Sequence, residues 1–124
     1  MEKLIIWQRL DGLNEYTRAN RTNAHIGASM KRNNENLIIP YIQRDLRGKH
    51  FEKIDLDITW YEPTKRRDPD NIFFAIKFIL DSLVKCGIIP NDSQKHIGEI
   101  TQRVISPSKS PRIEVLLKEI EWYT

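Results

Sequence analysis

Two aspartates separated by one proline stand where a cluster of cations meets a long apolar segment. The stretch reads KRRDPDNIFF, and its acids are Asp68 and Asp70. Directly before them stand Lys65, Arg66 and Arg67. Carboxylate oxygens are preferred ligands of Mg²⁺, which usually keeps several waters and also takes substrate phosphate. Because the neighbouring cations would hold a polyanion over the metal, the pattern predicts metal-assisted hydrolysis of a phosphodiester.

A third acid, Asp92, follows the apolar segment in the turn PNDS. If the chain runs back along the helix, Asp92 approaches Asp68 and Asp70, and a bound cation would offset the repulsion among them. Lys77 stands two helical turns after Asp70 and would stabilise charge that develops on the phosphate. Asn71 would orient one of the carboxylates by a hydrogen bond.

The same residues have a purely structural interpretation. Aspartate followed by proline often begins a helix, because Asp accepts hydrogen bonds from free amides and Pro suits the first helical position. Asp70 in the first turn is favourable to the helix dipole. Lys77, Asp81 and Lys85 would form ion pairs four residues apart. For each residue by itself, this interpretation stays open.

The segment that carries these residues predicts a helix buried on more than one side. Drawn as one continuous helix from Asp68 to Lys85, it has apolar side chains over roughly 240° of its circumference. This arc is wider than the apolar stripe of a surface helix. We therefore expect the surplus to pack against a second copy of the chain.

Periodicity predicts the elements that position this helix. Strands are expected in KLIIWQRL, KIDLDITWYEP, HIGEITQRVI and RIEVLLKEIEW. The region after the first strand predicts two helical pieces, with Pro40 placing a kink or break in the second. The order of elements indicates an α+β fold, with a mixed or antiparallel sheet and helices packed mainly on one face. The length of 124 residues favours one domain, residues 1–124.

Composition limits the class of protein. The formal net charge is +3, and residues 1–50 carry the surplus of cations, which permits nucleic acid as a partner. Cys86 has no second cysteine with which to form a disulfide, so we expect a reducing, cytoplasmic location. No apolar run approaches the length that spans a bilayer, so no membrane partner is expected.

The acids and their surroundings resemble the RusA family of Holliday-junction resolvases, found in bacteria and their prophages. The resemblance rests on RRDPDN, on KFILDSLVKCGIIPND and more loosely on LNEYTRANR, and it spans most of the chain. It implies a RusA-like fold, a homodimer and dependence on Mg²⁺, with Mn²⁺ as a substitute. It also implies a crossover junction endodeoxyribonuclease that makes paired nicks in four-way DNA junctions during recombination and repair.

The resemblance implies roles for individual residues. Asp68, Asp70 and Asp92 would be the metal-binding catalytic carboxylates, and Lys77 would be the catalytic lysine. We expect further side chains to contact the DNA, namely Asn14, Arg18, Arg21, Lys65, Arg66 and Arg67.

The chain departs from the best-known members of the family at two positions. Their lysine comes four residues after the second aspartate, where this chain has Phe74, and Lys77 stands seven residues after it. The third acid is often preceded by another aspartate, and here that position is Asn91. Two alternatives therefore stay open: a DNA-binding protein of the same fold without catalysis, and a nuclease for flaps or other branched DNA.

Overall fold

Four strands form one mixed sheet in the computed structural model of the chain, which describes residues 1–121. The strands are β1 (Glu2–Ile6), β2 (Ile54–Tyr61), β3 (Ile97–Ile105) and β4 (Arg112–Glu119), in the spatial order β1-β4-β2-β3. β4 is antiparallel to β1 and β2, whereas β2 and β3 are parallel. The predicted mixed sheet is confirmed. The predicted last strand extended to Trp122, which lies outside the described residues.

Apolar and polar residues alternate along the strands, and this alternation gives the sheet one buried face. In β2 the apolar residues Ile54, Leu56, Ile58 and Trp60 are buried, as the sequence predicts. Their neighbours on the same face of β1 and β4 are also buried, namely Leu4, Ile6, Ile113, Val115 and Leu117. The helices cover this face, so the expected α+β architecture with helices on one side of the sheet is confirmed.

The first helical region divides into α1 (Leu13–Thr22) and α2 (Ala24–Asp45). Asn23 separates them, and its side chain accepts a hydrogen bond from Ile26 N–H at 2.9 Å. The two predicted pieces are confirmed, but α2 continues through Pro40 without the expected break. Buried Ile38 and Ile42 on either side of the proline hold the helix against the core. No helix within residues 1–121 has both the length and the apolar character needed to cross a membrane.

The helix that follows the acids is not continuous, and the prediction of a single helix is wrong. α3 (Pro69–Phe73) and α4 (Ile76–Lys85) are separated by a tighter turn. In this turn Lys77 N–H donates to Phe74 C=O at 3.1 Å, three residues earlier. Such a turn rotates by about 120° per residue instead of about 100°. A few such residues change the angle between Asp70 and Lys77 by roughly 60°, so the face that we predicted for the two residues is displaced but not lost.

Packing against α1 accompanies the interruption. Phe74 and Phe78 both contact Tyr16 of α1, with ring centroids 5.2 and 6.1 Å away, and they lie 5.9 Å from each other. α4 also packs against α2. The apolar side chains of α3 and α4 are all buried or half-buried within the single chain. Some of these side chains keep part of their surface exposed, namely Phe73, Ile76, Leu80 and Val84. The expected packing against a partner therefore stays a prediction.

Candidate functional site

Asp68 and Asp70 occupy the start of α3, and neither carboxylate holds the helix in place. Asp68 is the N-cap residue, yet its side chain makes no capping hydrogen bond. The first turn is closed by the backbone, where Ile72 N–H donates to Asp68 C=O at 3.1 Å. Both side chains are exposed and have no hydrogen bond or ion pair with any residue from 1 to 121. The capping interpretation is therefore wrong for Asp68, and both carboxylates are free to bind a ligand.

Asn71 joins α3 to the start of α1. Its side chain is buried, and its Oδ1 accepts a hydrogen bond from Asn14 N–H at 2.9 Å. A Cβ at Gly12 would lie 2.5 Å from the same Oδ1 and 2.7 Å from the Asn71 carbonyl oxygen, so only glycine fits there. The expected hydrogen bond from Asn71 to a carboxylate is not made. Instead, Asn71 fixes the end of α1 that carries Asn14 beside the two acids.

Arg67 ties the loop before α3 to the sheet. Its Nε and Nη2 donate to the two carboxylate oxygens of Glu62 at 3.0 and 2.9 Å, and its Nη1 donates to Leu10 C=O at 3.0 Å. Both charged side chains are largely buried, and bidentate pairs of this kind have a fixed geometry. We expected Arg67 to contact DNA, but most of its donors are used within the protein. These bonds hold the loop that leads into Asp68, the next residue.

The other predicted DNA contacts are exposed cations. Lys65 and Arg66 lie in the loop before α3, and Arg18 and Arg21 lie on α1. None of these four side chains has a hydrogen-bond or ion-pair partner in the part of the chain that the structure describes. α1 packs against α3, and Lys65 and Arg66 stand just before the acids in the chain. The four cations are available to a polyanion.

Lys77 begins the region where α4 meets α2. Its Nζ lies 4.0 Å from Asp81 Oδ2, so the ion pair predicted as its structural alternative is present. Lys31 of α2 approaches the same oxygen at 3.1 Å, and its hydrogen bond to Asp81 raises the pKa of Lys31. Lys85 pairs with buried Glu35 and not with Asp81 as we predicted. Lys77 remains half exposed, and it shares Asp81 with Lys31.

Asp92 lies in the loop between α4 and β3, which is fixed near the start of β2. Phe51 N–H donates to Ile88 C=O at 2.8 Å, and Ile54 N–H donates to His96 C=O at 3.0 Å. The Asp92 carboxylate is exposed and makes no hydrogen bond or ion pair within residues 1–121. Over the same residues, no three His, Cys, Asp or Glu side chains lie close enough to hold a metal ion. The structure therefore does not gather the three predicted acids.

The pair formed by Asp68 and Asp70 nevertheless suits the cation that the family resemblance implies. Both supply hard oxygen ligands, both are exposed, and both lack a partner within the described chain. Mg²⁺ is commonly bound by one or two carboxylates and completes its shell with water and substrate phosphate. The two acids at the start of α3 fit that mode of binding.

Two acidic residues that shape this region escaped the sequence analysis. Glu62 is the buried partner of Arg67, and nothing in the sequence marks it. Glu15 accepts hydrogen bonds from Gly12 N–H at 2.8 Å and from Arg9 at 3.2 Å. Burial acts to raise the pKa of Glu15, but hydrogen bonds from backbone N–H groups and Arg9 outweigh it and lower the pKa. The sequence pattern that could have identified Glu15 is its place three residues after the N-cap residue Gly12, as in a capping box.

Comparison with known proteins leaves the family of this chain open. No protein-family model matches the chain, and no curated protein matches it significantly. A functional conclusion must therefore depend on the free acids, the cations beside them and the contacts that position both.

Proposed function

We propose that the protein is a metal-dependent endodeoxyribonuclease that resolves four-way DNA junctions by paired nicks. The observation that best supports this proposal is that Asp68 and Asp70 lie at the start of α3, where neither side chain makes a capping hydrogen bond or an ion pair within residues 1–121. Exposed carboxylates without a partner in the described chain are available to a divalent cation, which would offset the repulsion between them. The resemblance to the RusA family supports DNA junctions as the substrate class.

Each residue has a defined task in this proposal. Asp68, Asp70 and Asp92 would hold Mg²⁺ or Mn²⁺, which would lower the pKa of water and neutralise charge on the phosphate. Lys65 and Arg66 bind backbone phosphates and keep the scissile bond beside the acids. Exposed cations of α1 extend this contact along the DNA, and Lys77 stabilises charge that develops on the phosphate.

The proposal requires Asp92 to approach the other two acids when metal and DNA bind. Its loop is fixed at Ile88 and His96, but the carboxylate between these points is exposed and unpaired within the described residues. A divalent cation removes the repulsion that otherwise opposes the approach. A homodimer then supplies two matched sites, as a junction of near two-fold symmetry requires.

The test is cleavage of a labelled four-way junction in Mg²⁺, with a linear duplex and a flap as comparison substrates. We expect Asp70→Asn and Asp92→Asn to bind the junction normally and to cut it slower by orders of magnitude. Asp57→Asn is the matched control, because Asp57 pairs with Arg103 on the uncovered face of the sheet. Junction cleavage by Asp70→Asn at the wild-type rate would contradict the proposal.

A catalytically silent junction-binding protein is the second candidate. Phe74 favours it, because the residue at the position of the family lysine is an aromatic packed against Tyr16. Tight junction binding without cleavage in Mg²⁺ or Mn²⁺ would select this alternative. Faster cleavage of the flap than of the junction would instead select a nuclease for other branched DNA.

A further inference from the structure

A cavity of about 340 Å³ opens next to Arg67, where the ends of β1 and β2 meet the start of β4. Its inner wall includes buried Leu10, Trp60 and Ile113. Its volume lies near the lower end of the range for small-molecule sites, so it suits one flat ring system and not a duplex.

Planar side chains form the outer wall of this cavity. The guanidinium of Arg112 lies 3.8 Å from the ring centroid of Tyr61 and 5.7 Å from that of Trp7. Arg112 is fixed by hydrogen bonds from Nε to Glu114 at 2.7 Å and from Nη1 to Ser110 C=O at 2.8 Å. Trp7 is 48% exposed, although most large aromatic side chains are well covered. Of these planar groups, Trp7 offers the surface that is most open to solvent, and the fixed Arg112 lies beside it.

The charges around the cavity select against a phosphate. Three arginines line it, and each is paired with a carboxylate: Arg9 with Glu15, Arg67 with Glu62, and Arg112 with Glu114. Since these pairs leave little net charge, the cavity favours a neutral, flat, hydrogen-bonding ligand. Aromatic rings and arginine planes are the surfaces on which proteins stack unpaired nucleobases.

We propose that this cavity binds a nucleobase that is unstacked from the DNA at the branch point. That the ligand is DNA rests on the proposed function. The stacking surface is observed independently of that function. Arg67 lines the cavity and directly precedes Asp68, so a base held there would keep its own backbone near the acids. Extrusion of a base is least unfavourable where pairing is already disturbed, as at a branch point.

The test compares intact junctions with junctions that carry an abasic site at each position flanking the branch point. Affinities are measured without divalent cations, so that no strand is cut. For wild type we expect one abasic position to weaken binding about tenfold, the range found for loss of one stacked base. In Trp7→Ala the intact and abasic junctions should bind equally, and Trp7→Phe should restore the difference. Ile26→Ala, at an exposed apolar residue of α2 that does not line the cavity, is the matched control.

A second measurement reports the contact directly. With 5-iodouracil at the sensitive position, irradiation should link the DNA to Trp7 or Tyr61, and Arg112→Gln should reduce the yield. Equal affinity of wild type for all junctions together with no crosslink at the cavity would overturn the proposal. If the protein cuts junctions but binds intact and abasic junctions equally, only the proposal for the cavity is overturned. If an abasic site weakens binding but no junction is cut, only the proposed nuclease activity is overturned. Absence of any DNA binding overturns both.

Discussion

A carboxylate at the start of a helix can cap the helix or bind a ligand, and at the scale of single residues these uses differ in their contacts. Asp68 makes no capping bond, and Asp70 has no partner within residues 1–121. Arg67, between the cations and the acids in sequence, is held by Glu62 and so belongs to the scaffold. The sequence identifies the acids, but it does not separate Arg67 from Lys65 and Arg66, because only the folded loop brings Glu62 to the guanidinium.

The first prediction concerns the position of the lysine. Lys77→Ala should slow junction cleavage while the free energy of unfolding changes by less than about 1 kcal/mol, because the side chain is exposed. Moving the lysine in the double variant Phe74→Lys, Lys77→Ala should not restore cleavage. It should also lower the free energy of unfolding by about 2 kcal/mol, because Phe74 leaves its packing with Tyr16 and Phe78. Full rescue, measured by cleavage rate and urea unfolding, would contradict the position inferred for Lys77.

At the scale of elements, strands could be predicted and the interruption of the helix could not. Alternation of apolar and polar residues along β2 marks its buried face, whereas the predicted strand began one residue too early and ended two residues too late. The turn between α3 and α4 follows from packing of Phe74 and Phe78 on Tyr16, which lies almost sixty residues earlier in the chain. Local apolar periodicity contains no information about such a contact. The close approach of Gly12 to Asn71 is equally non-local.

The second prediction concerns how the free energy of unfolding depends on pH through Glu15, which holds the start of α1. The pKa of Glu15 is lowered in the folded protein, so Glu15 stabilises the fold above its unfolded pKa, and this contribution is lost as pH falls through the folded value. We expect Glu15→Gln to be less stable than wild type at about pH 7 and equally stable at about pH 2. Urea unfolding across this range measures the difference. A gap that stays constant down to the lowest pH would contradict the prediction.

At the scale of the whole molecule, the sheet presents a more exposed edge to a second copy of the chain than α3 and α4 do. Ile79 of α4 is fully buried, so the substitution Ile79→Glu would disrupt folding and would not report on association between two chains. The edge of β1 is partly covered, because Asp45 accepts from Ile5 N–H and Arg44 donates to Ile5 C=O. β3 is the other edge, and its Ile100 is 44% exposed. Exposed edge strands readily pair with another chain.

The third prediction is that two copies pair along β3. Ile100→Lys should leave the fold intact, because the side chain is exposed, and should convert the dimer into a monomer that nicks one strand of a junction. Ile26→Lys, at a residue of α2 with similar exposure, is the matched control and should stay dimeric. Sedimentation velocity measures both variants. A dimeric Ile100→Lys protein would contradict pairing along this edge.

The uncapped start of α3 has a consequence for heat resistance. Because Asp68 contributes no capping bond, replacing it by asparagine would remove a negative charge close to Asp70 without removing a contact that holds the helix. We expect Asp68→Asn to unfold at a Tm equal to or slightly above that of wild type, while junction cleavage is lost. Calorimetry beside a cleavage assay would measure both, and a lower Tm would contradict the expectation. In this protein, tolerance of heat should therefore gain nothing from the side chain that catalysis requires.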